Sequence, residues 1–171
     1  MNASSQLNVL VLCTGNSARS ILGEALFNHL GDGRVRAYSA GSQPSGRVNP
    51  VALETLEKHG VPLPTDVRSK SWDEFCEAGA PQIDYIFTVC ANAAGEACPI
   101  WPGHPATAHW GIADPAHVEP MEARRGAFEV AYRALEKRIR AFLALDLATM
   151  TRDEVATAAR LIHEASTAGE E

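Results

Sequence analysis

The stretch "VLCTGNSARS" (Val11–Ser20) ends an apolar run on a cysteine, then places small, turn-prone residues ahead of an arginine. Cys13 is either an inert thiol at a buried strand end or a nucleophile seated in a loop that holds an oxyanion. The flanks favour the second reading. "LNVLVLC" (Leu7–Cys13) is nearly continuous apolar, the pattern of a strand covered on both faces of a parallel sheet. From Ala18 the apolar positions switch to helical spacing, with Ile21, Leu22, Ala25, Leu26 and Leu30 on one side and Gly31 as the stop. A loop between such a strand and helix aims backbone N–H groups and the positive helix end at one point, which makes an anion site. Thr14, Gly15, Asn16, Ser17 and Ala18 form this cradle; Gly15 can take the positive φ it needs, and Asn16 tolerates one. Arg19 adds a planar fork for two oxygens, and Ser20 can donate to a sulfur anion at the base. A free thiol with pKa of about 8.5 falls below about 7.5 among such donors. The loop that binds the oxyanion therefore also prepares the nucleophile.

Working outward, "RVRAYSAG" (Arg34–Gly41) reads as a second strand, followed by the turn-rich Ser42–Pro50. Asn49 caps and Pro50 opens a helix to about His59, ended by Gly60. A short helix is expected near Ser71–Ala78, a third strand at Ile83–Cys90 and a weaker fourth at Thr107–Asp114. The strongest helical pattern runs from Pro120 to about Leu145, with Phe128, Ala131, Tyr132, Leu135, Ile139 and Phe142 as its stripe. Thr151 and Glu154 have capping-box spacing and start a last helix carrying Val155, Ala159 and Ile162. This divides the chain into a disordered start (1–6), one domain (7–146), and a C-terminal helix and tail (147–171) disordered from 169. Alternating strands and helices imply an α/β sandwich around a parallel sheet. Ligands of such sheets bind beyond the strands' carboxyl ends. Cys13, Cys90 and Asp114 close the first, third and fourth expected strands, so they should share one edge.

Composition narrows the function class. At 171 residues the chain is long enough for one well-filled core, and a formal net charge of −6 argues against sequence-independent nucleic-acid binding. Neither a signal-peptide core nor a membrane span is visible, so a cytosolic protein is expected. There the four cysteines (Cys13, Cys76, Cys90, Cys98) are not structural disulfides. Cys76, in "WDEFCEAG", has no anion signal beside it and reads as a packing residue. A zinc module built from Cys90, Cys98, His104 and His109 is disfavoured, because the cysteines are separated by seven residues rather than two to four.

"CTGNSARS" together with the late Asp114-Pro115 resembles the low-molecular-weight protein tyrosine phosphatase superfamily, over about Leu7–Leu145. "VCANAAGEACPIWPG" (Val89–Gly103) followed by "TAHWGIADP" resembles the arsenate reductases of that superfamily. The resemblance implies a three-layer sandwich with a four-stranded parallel sheet in order 2-1-3-4. It also implies arsenic detoxification: Cys13 attacks arsenate, Asp114 serves as the acid, Cys90 displaces arsenite, and Cys98 takes over the disulfide. An external thiol reductant restores the protein, with no tightly bound cofactor. Thioredoxin is the expected partner. Ala91 in place of the usual acidic residue, and the long Cys90–Cys98 gap, keep glutaredoxin or mycothiol systems open. Asn16, Glu24 and Ser39 match positions that bind potassium in some relatives; a hydrogen-bond network stiffening the loop is the preferred reading. Phosphatases of the superfamily usually carry aromatics after the Asp-Pro pair and a cysteine before the arginine. This chain has Ala116 and His117 in the first place and Ala18 in the second. The alternatives are a phosphate-monoester phosphatase and a thiol-based arsenic sensor.

Overall fold

The computed structural model describes residues 6–63, 67–89 and 105–170. Leu7–Cys13 forms β1, and its buried Val9–Cys13 confirm a strand covered on both faces. It is followed by α1 (Arg19–Gly31), β2 (Val35–Gly41), α2 (Pro50–Lys58), a 3₁₀ turn at Trp72–Phe75, β3 (Tyr85–Thr88), β4 (Ala106–His109), α3 (Met121–Leu143) and α4 (Arg152–Glu170). The four strands are all parallel and lie in the order β2-β1-β3-β4, as the resemblance implied.

The period-two alternation of β1 sorts the core into two layers. Val9, Val11 and Cys13 join Phe87 and Trp110 under α1, α2, α3 and α4. Leu10 and Leu12 face the other way, with Ala40 and Ile86, onto Trp72 and Phe75 of the 3₁₀ turn. Helical structure thus lies on both sides of the sheet. Among the described residues the second side is thin, because the helix expected over Ser71–Ala78 is only the four-residue turn capped by Ser71.

Packing explains the remaining differences from the sequence reading. α1 is buried well beyond one stripe, since β1, β2, α2 and α3 surround it. Phe27 is therefore core, stacked on Trp110 at 6.1 Å and tilted on Phe87 at 5.3 Å, while Leu30 is only partly covered. The stop is not Gly31, which is still helical and presses on Val35. Asp32 takes the left-handed cap at φ 46°, followed by Gly33 at φ 86°. β4 ends at His109, five residues before Asp114. At Gly111 an added Cβ would lie 2.8 Å from the His109 ring, so a larger residue there would have to move that side chain. Trp110 N and Ile112 N still bond to the Thr88 and Val89 carbonyls, which carries the loop along the end of β3. The capping box is present: Glu154 N donates to Thr151 Oγ1 and Thr151 N donates to Glu154 Oε1. Its helix runs over Arg152–Glu170. Gln6 Nε2 donates to the Gly33 carbonyl. Among the described residues no helix is long and apolar enough to cross a membrane.

Gly41 is the tightest point between sheet and loop. A Cβ there would sit 2.4 Å from the Thr14 carbonyl oxygen and 3.0 Å from that of Cys13. Since both obstacles are backbone, Gly41→Ala is expected to cost about 1–3 kcal/mol and lower the midpoint of thermal unfolding. An unchanged melting curve would contradict the fit described.

Candidate active site

The loop after β1 is held from outside by its carbonyls. Gln43 N donates to Thr14 O (2.9 Å), Ser45 N to Gly15 O (2.9 Å) and Asn49 N to Ser17 O (2.8 Å). A trans peptide points its N–H opposite to its C=O, so the amides of Gly15, Asn16 and Ala18 aim away from this 43–49 strap and into the cradle. Asn49 secures the strap's far end, since its side chain accepts from Val51 N and caps α2. Ser69 ties in the near end by donating to Gly15 O and accepting from Gly46 N, both at 3.1 Å.

Asn16, not Gly15, takes the left-handed conformation, at φ 48°. That choice turns the Asn16 N–H onto Cys13 Sγ at 3.2 Å. Its side chain is fully buried and spent on both ends: Nδ2 donates to Ser20 Oγ (2.8 Å), and Oδ1 accepts from Lys70 N (2.7 Å). Ser20 Oγ lies 2.9 Å from Cys13 Sγ. A thiolate at Cys13 therefore accepts from the Asn16 amide and the Ser20 hydroxyl together, with Asn16 orienting that hydroxyl. Charge-assisted hydrogen bonds of this kind are about twice as strong as neutral ones.

Arg19 opens α1 and crosses to the loop after β4. One guanidinium nitrogen donates to Ile112 O at 2.8 Å, and the other lies 3.5 Å from Asp114 Oδ2. Asp114 Oδ1 accepts from Ala116 N, which fixes the carboxylate in a tight turn. Asp114 thus reaches the site although it does not close β4. Ile112 joins the two sides, because its own N–H bonds to Val89 O.

Of the positions matched to a potassium site, Ser39 donates to Glu24 Oε1, and both are buried. Asn16 is instead bonded to Ser20 and Lys70. Cys76 is half-buried, and burial followed by the charges of Asp73 and Glu77 raises its pKa; it is not prepared as a nucleophile. Cys90, Cys98 and His104 lie outside the described residues. The strap's bonds to the loop, Gly41, Lys70 and Ile112 went unread in the sequence, because Gln43, Ser45, Asn49, Lys70 and Ile112 reach the loop through backbone groups that every residue type carries. The one sequence signal was the glycine closing β2.

Known proteins resemble this chain in sequence and in fold. An arsenate reductase of Bacillus licheniformis is 35% identical over 125 residues, covering 72% of this chain and 85% of that protein. A thioredoxin-dependent arsenate reductase of Corynebacterium glutamicum superposes with a TM-score of 0.54 at 26% identity, covering 81% of this chain and 64% of that one. A tyrosine phosphatase of Erwinia amylovora gives 0.62 at 26% identity, covering 82% and 93%. Residues 8–156 match the model of a single family. With the cysteine loop, its arginine and the parallel sheet all in place, the chain belongs to the low molecular weight phosphotyrosine protein phosphatase family.

Proposed function

We propose that this protein is an arsenate reductase working through a three-cysteine relay in a reducing, cytosolic compartment. The observation that carries the proposal is Cys13 Sγ, held by the Asn16 N–H and Ser20 Oγ at the base of a cradle whose amides converge, with Arg19 at its edge. A tetrahedral arsenate suits such a cradle. The Cys13 thiolate attacks arsenic and forms a sulfur–arsenic bond as one arsenate oxygen departs with a proton from Asp114. The Cys90 thiolate then attacks Cys13 Sγ. The sulfur–arsenic bonding pair stays with arsenic, arsenite leaves with arsenic reduced by two electrons, and a Cys13–Cys90 disulfide remains. Cys98 attacks Cys90, frees Cys13 and leaves a Cys90–Cys98 disulfide, which an external dithiol of thioredoxin type reduces. These steps require no resident cofactor.

The rival phosphatase reaction uses the same cradle but needs water to attack the Cys13 intermediate. Ala116 and His117 supply no aromatic wall for a phenol ring, and the curated relatives at about one-third identity are named arsenate reductases. A single-turnover experiment separates the two reactions. Reduced protein given arsenate and no reductant should release one arsenite per chain and acquire a Cys90–Cys98 disulfide in its peptide map. Sustained hydrolysis of an aryl phosphate without arsenite release would instead establish the phosphatase. Cys76→Ser should leave arsenate turnover within about threefold of wild type, since its thiol is raised rather than activated. A large loss would give Cys76 a place in the relay.

A further inference from the structure

We propose that Ser69 is a positioning residue for the Cys13 nucleophile: its hydroxyl holds the peptide that keeps the Asn16 N–H on Cys13 Sγ. The role rests on the reading of Cys13 given above. The Gly15 carbonyl and the Asn16 N–H belong to one planar peptide, so a group that fixes the first aims the second. The carbonyl accepts from Ser45 N at 2.9 Å and from Ser69 Oγ at 3.1 Å. On its other edge the same peptide donates to Cys13 Sγ at 3.2 Å. On the Gly15 side packing does little to hold it, since an added Cβ there would meet nothing nearer than Ser17 Oγ at 3.8 Å. Asn16 sits at φ 48°, which residues with a side chain adopt at a cost. The two hydrogen bonds on the carbonyl therefore select this orientation of the peptide. They also polarise its N–H, which strengthens a bond to a sulfur anion.

Ser69 is itself aimed and anchored. Its Oγ accepts from Gly46 N at 3.1 Å, which leaves the hydroxyl proton for Gly15 O. The next residue, Lys70, donates its N–H to Asn16 Oδ1 at 2.7 Å. The Lys70 carbonyl accepts from Gly41 N at the end of β2, which moors the segment to the sheet. Two consecutive residues thus hold Asn16, one through its backbone and the other through its side chain. The Ser69 hydroxyl acts from the carbonyl side of the loop, through the peptide.

The test is the pH dependence of Cys13 alkylation by iodoacetamide, read on the Cys13 peptide by mass spectrometry, in wild type, Ser69→Ala and Ser69→Thr. Loss of the hydroxyl should raise the midpoint by about half a pH unit, because a hydrogen bond to the thiolate is weakened. Below the midpoint, alkylation of Ser69→Ala should run about threefold slower than wild type. The gap should close at alkaline pH, where the thiol is ionised in both proteins. Ser69→Thr keeps the hydroxyl and should restore the wild-type midpoint. The charged groups around the loop (Arg19, Asp114, Glu24, Lys70 and the Arg68–Glu74 pair) are common to all three proteins, so the shift reports the peptide. A wild-type midpoint in Ser69→Ala would overturn the proposal, whatever its melting curve. So would a rate deficit of the same size at every pH, which is the mark of altered access to the thiol. In a second arm, kcat/KM for arsenate should fall about threefold in Ser69→Ala at neutral pH. Absence of arsenate turnover in wild type would refute the reductase reading, while the titration still decides the role of Ser69.

Discussion

Cys13→Ser protein is expected to reduce arsenate at least about 10⁴-fold more slowly than wild type, the scale of loss when an enzyme's nucleophile is removed. The substitution exchanges one atom at a buried position. A serine hydroxyl still fits between Asn16 N–H and Ser20 Oγ, so the loop keeps its hydrogen bonds and the protein its stability. What disappears is the thiol sulfur that attacks arsenic, and with it a sulfur on which Cys90 can form a disulfide. The replacement cannot support slow turnover by the same route, because an oxygen–arsenic bond leaves Cys90 no sulfur to attack. Initial rates of arsenite formation, alongside a melting curve, check both halves of this expectation. Appreciable turnover by Cys13→Ser would remove Cys13 from the reaction.

Arg19→Ala is expected to lower kcat/KM by about 10³-fold, combining lost oxyanion binding with lost charge stabilisation in the transition state. Arg19→Lys should recover only part of this, since an ammonium keeps the charge but not the two-pronged geometry. The side chain is also the tie between α1 and the loop after β4, through Ile112 O and Asp114. Its removal therefore leaves Asp114, assigned as proton donor, held by the Ala116 N–H without the guanidinium. A readout independent of turnover separates these effects: iodoacetamide should still alkylate Cys13 in Arg19→Ala, while arsenate or phosphate should no longer protect it. Full protection would show that the backbone amides suffice to bind the anion, and would contradict the role given to Arg19.

The parts of this site legible in the sequence are those where side-chain chemistry and local geometry coincide. Cys13, Arg19 and Ser20 could be placed because a buried strand, a short loop and a helix start follow one another within fourteen residues, Leu7–Ser20. Asn16 was recognised for tolerating a left-handed backbone, yet Gly15 was given equal standing. The structure chooses Asn16 because only its side chain can reach both Ser20 and Lys70 N from that conformation. Asp114 was expected at a strand end and instead reaches the site on a loop beyond it. β4 ends at His109 because its ladder with β3 covers only Tyr85–Thr88 against Ala106–His109, a tertiary pairing with no local signal. Phe27 was missed for a similar reason. A helix enclosed by the sheet and two other helices has no dry and wet sides for periodicity to report. The sheet order came from the resemblance alone, since nothing in the alternation of strands and helices distinguishes it from other parallel arrangements.

The central claim is the relay from Cys13 through Cys90 to Cys98. Its most direct test is arsenate-dependent NADPH oxidation in the presence of thioredoxin and thioredoxin reductase, for wild type and Cys98→Ser side by side. Wild type should turn over continuously, whereas Cys98→Ser should stop after a single arsenite per chain with Cys13 and Cys90 joined. Continuous turnover by Cys98→Ser at the wild-type rate would contradict the relay, because the disulfide would then be reduced without passing to Cys98.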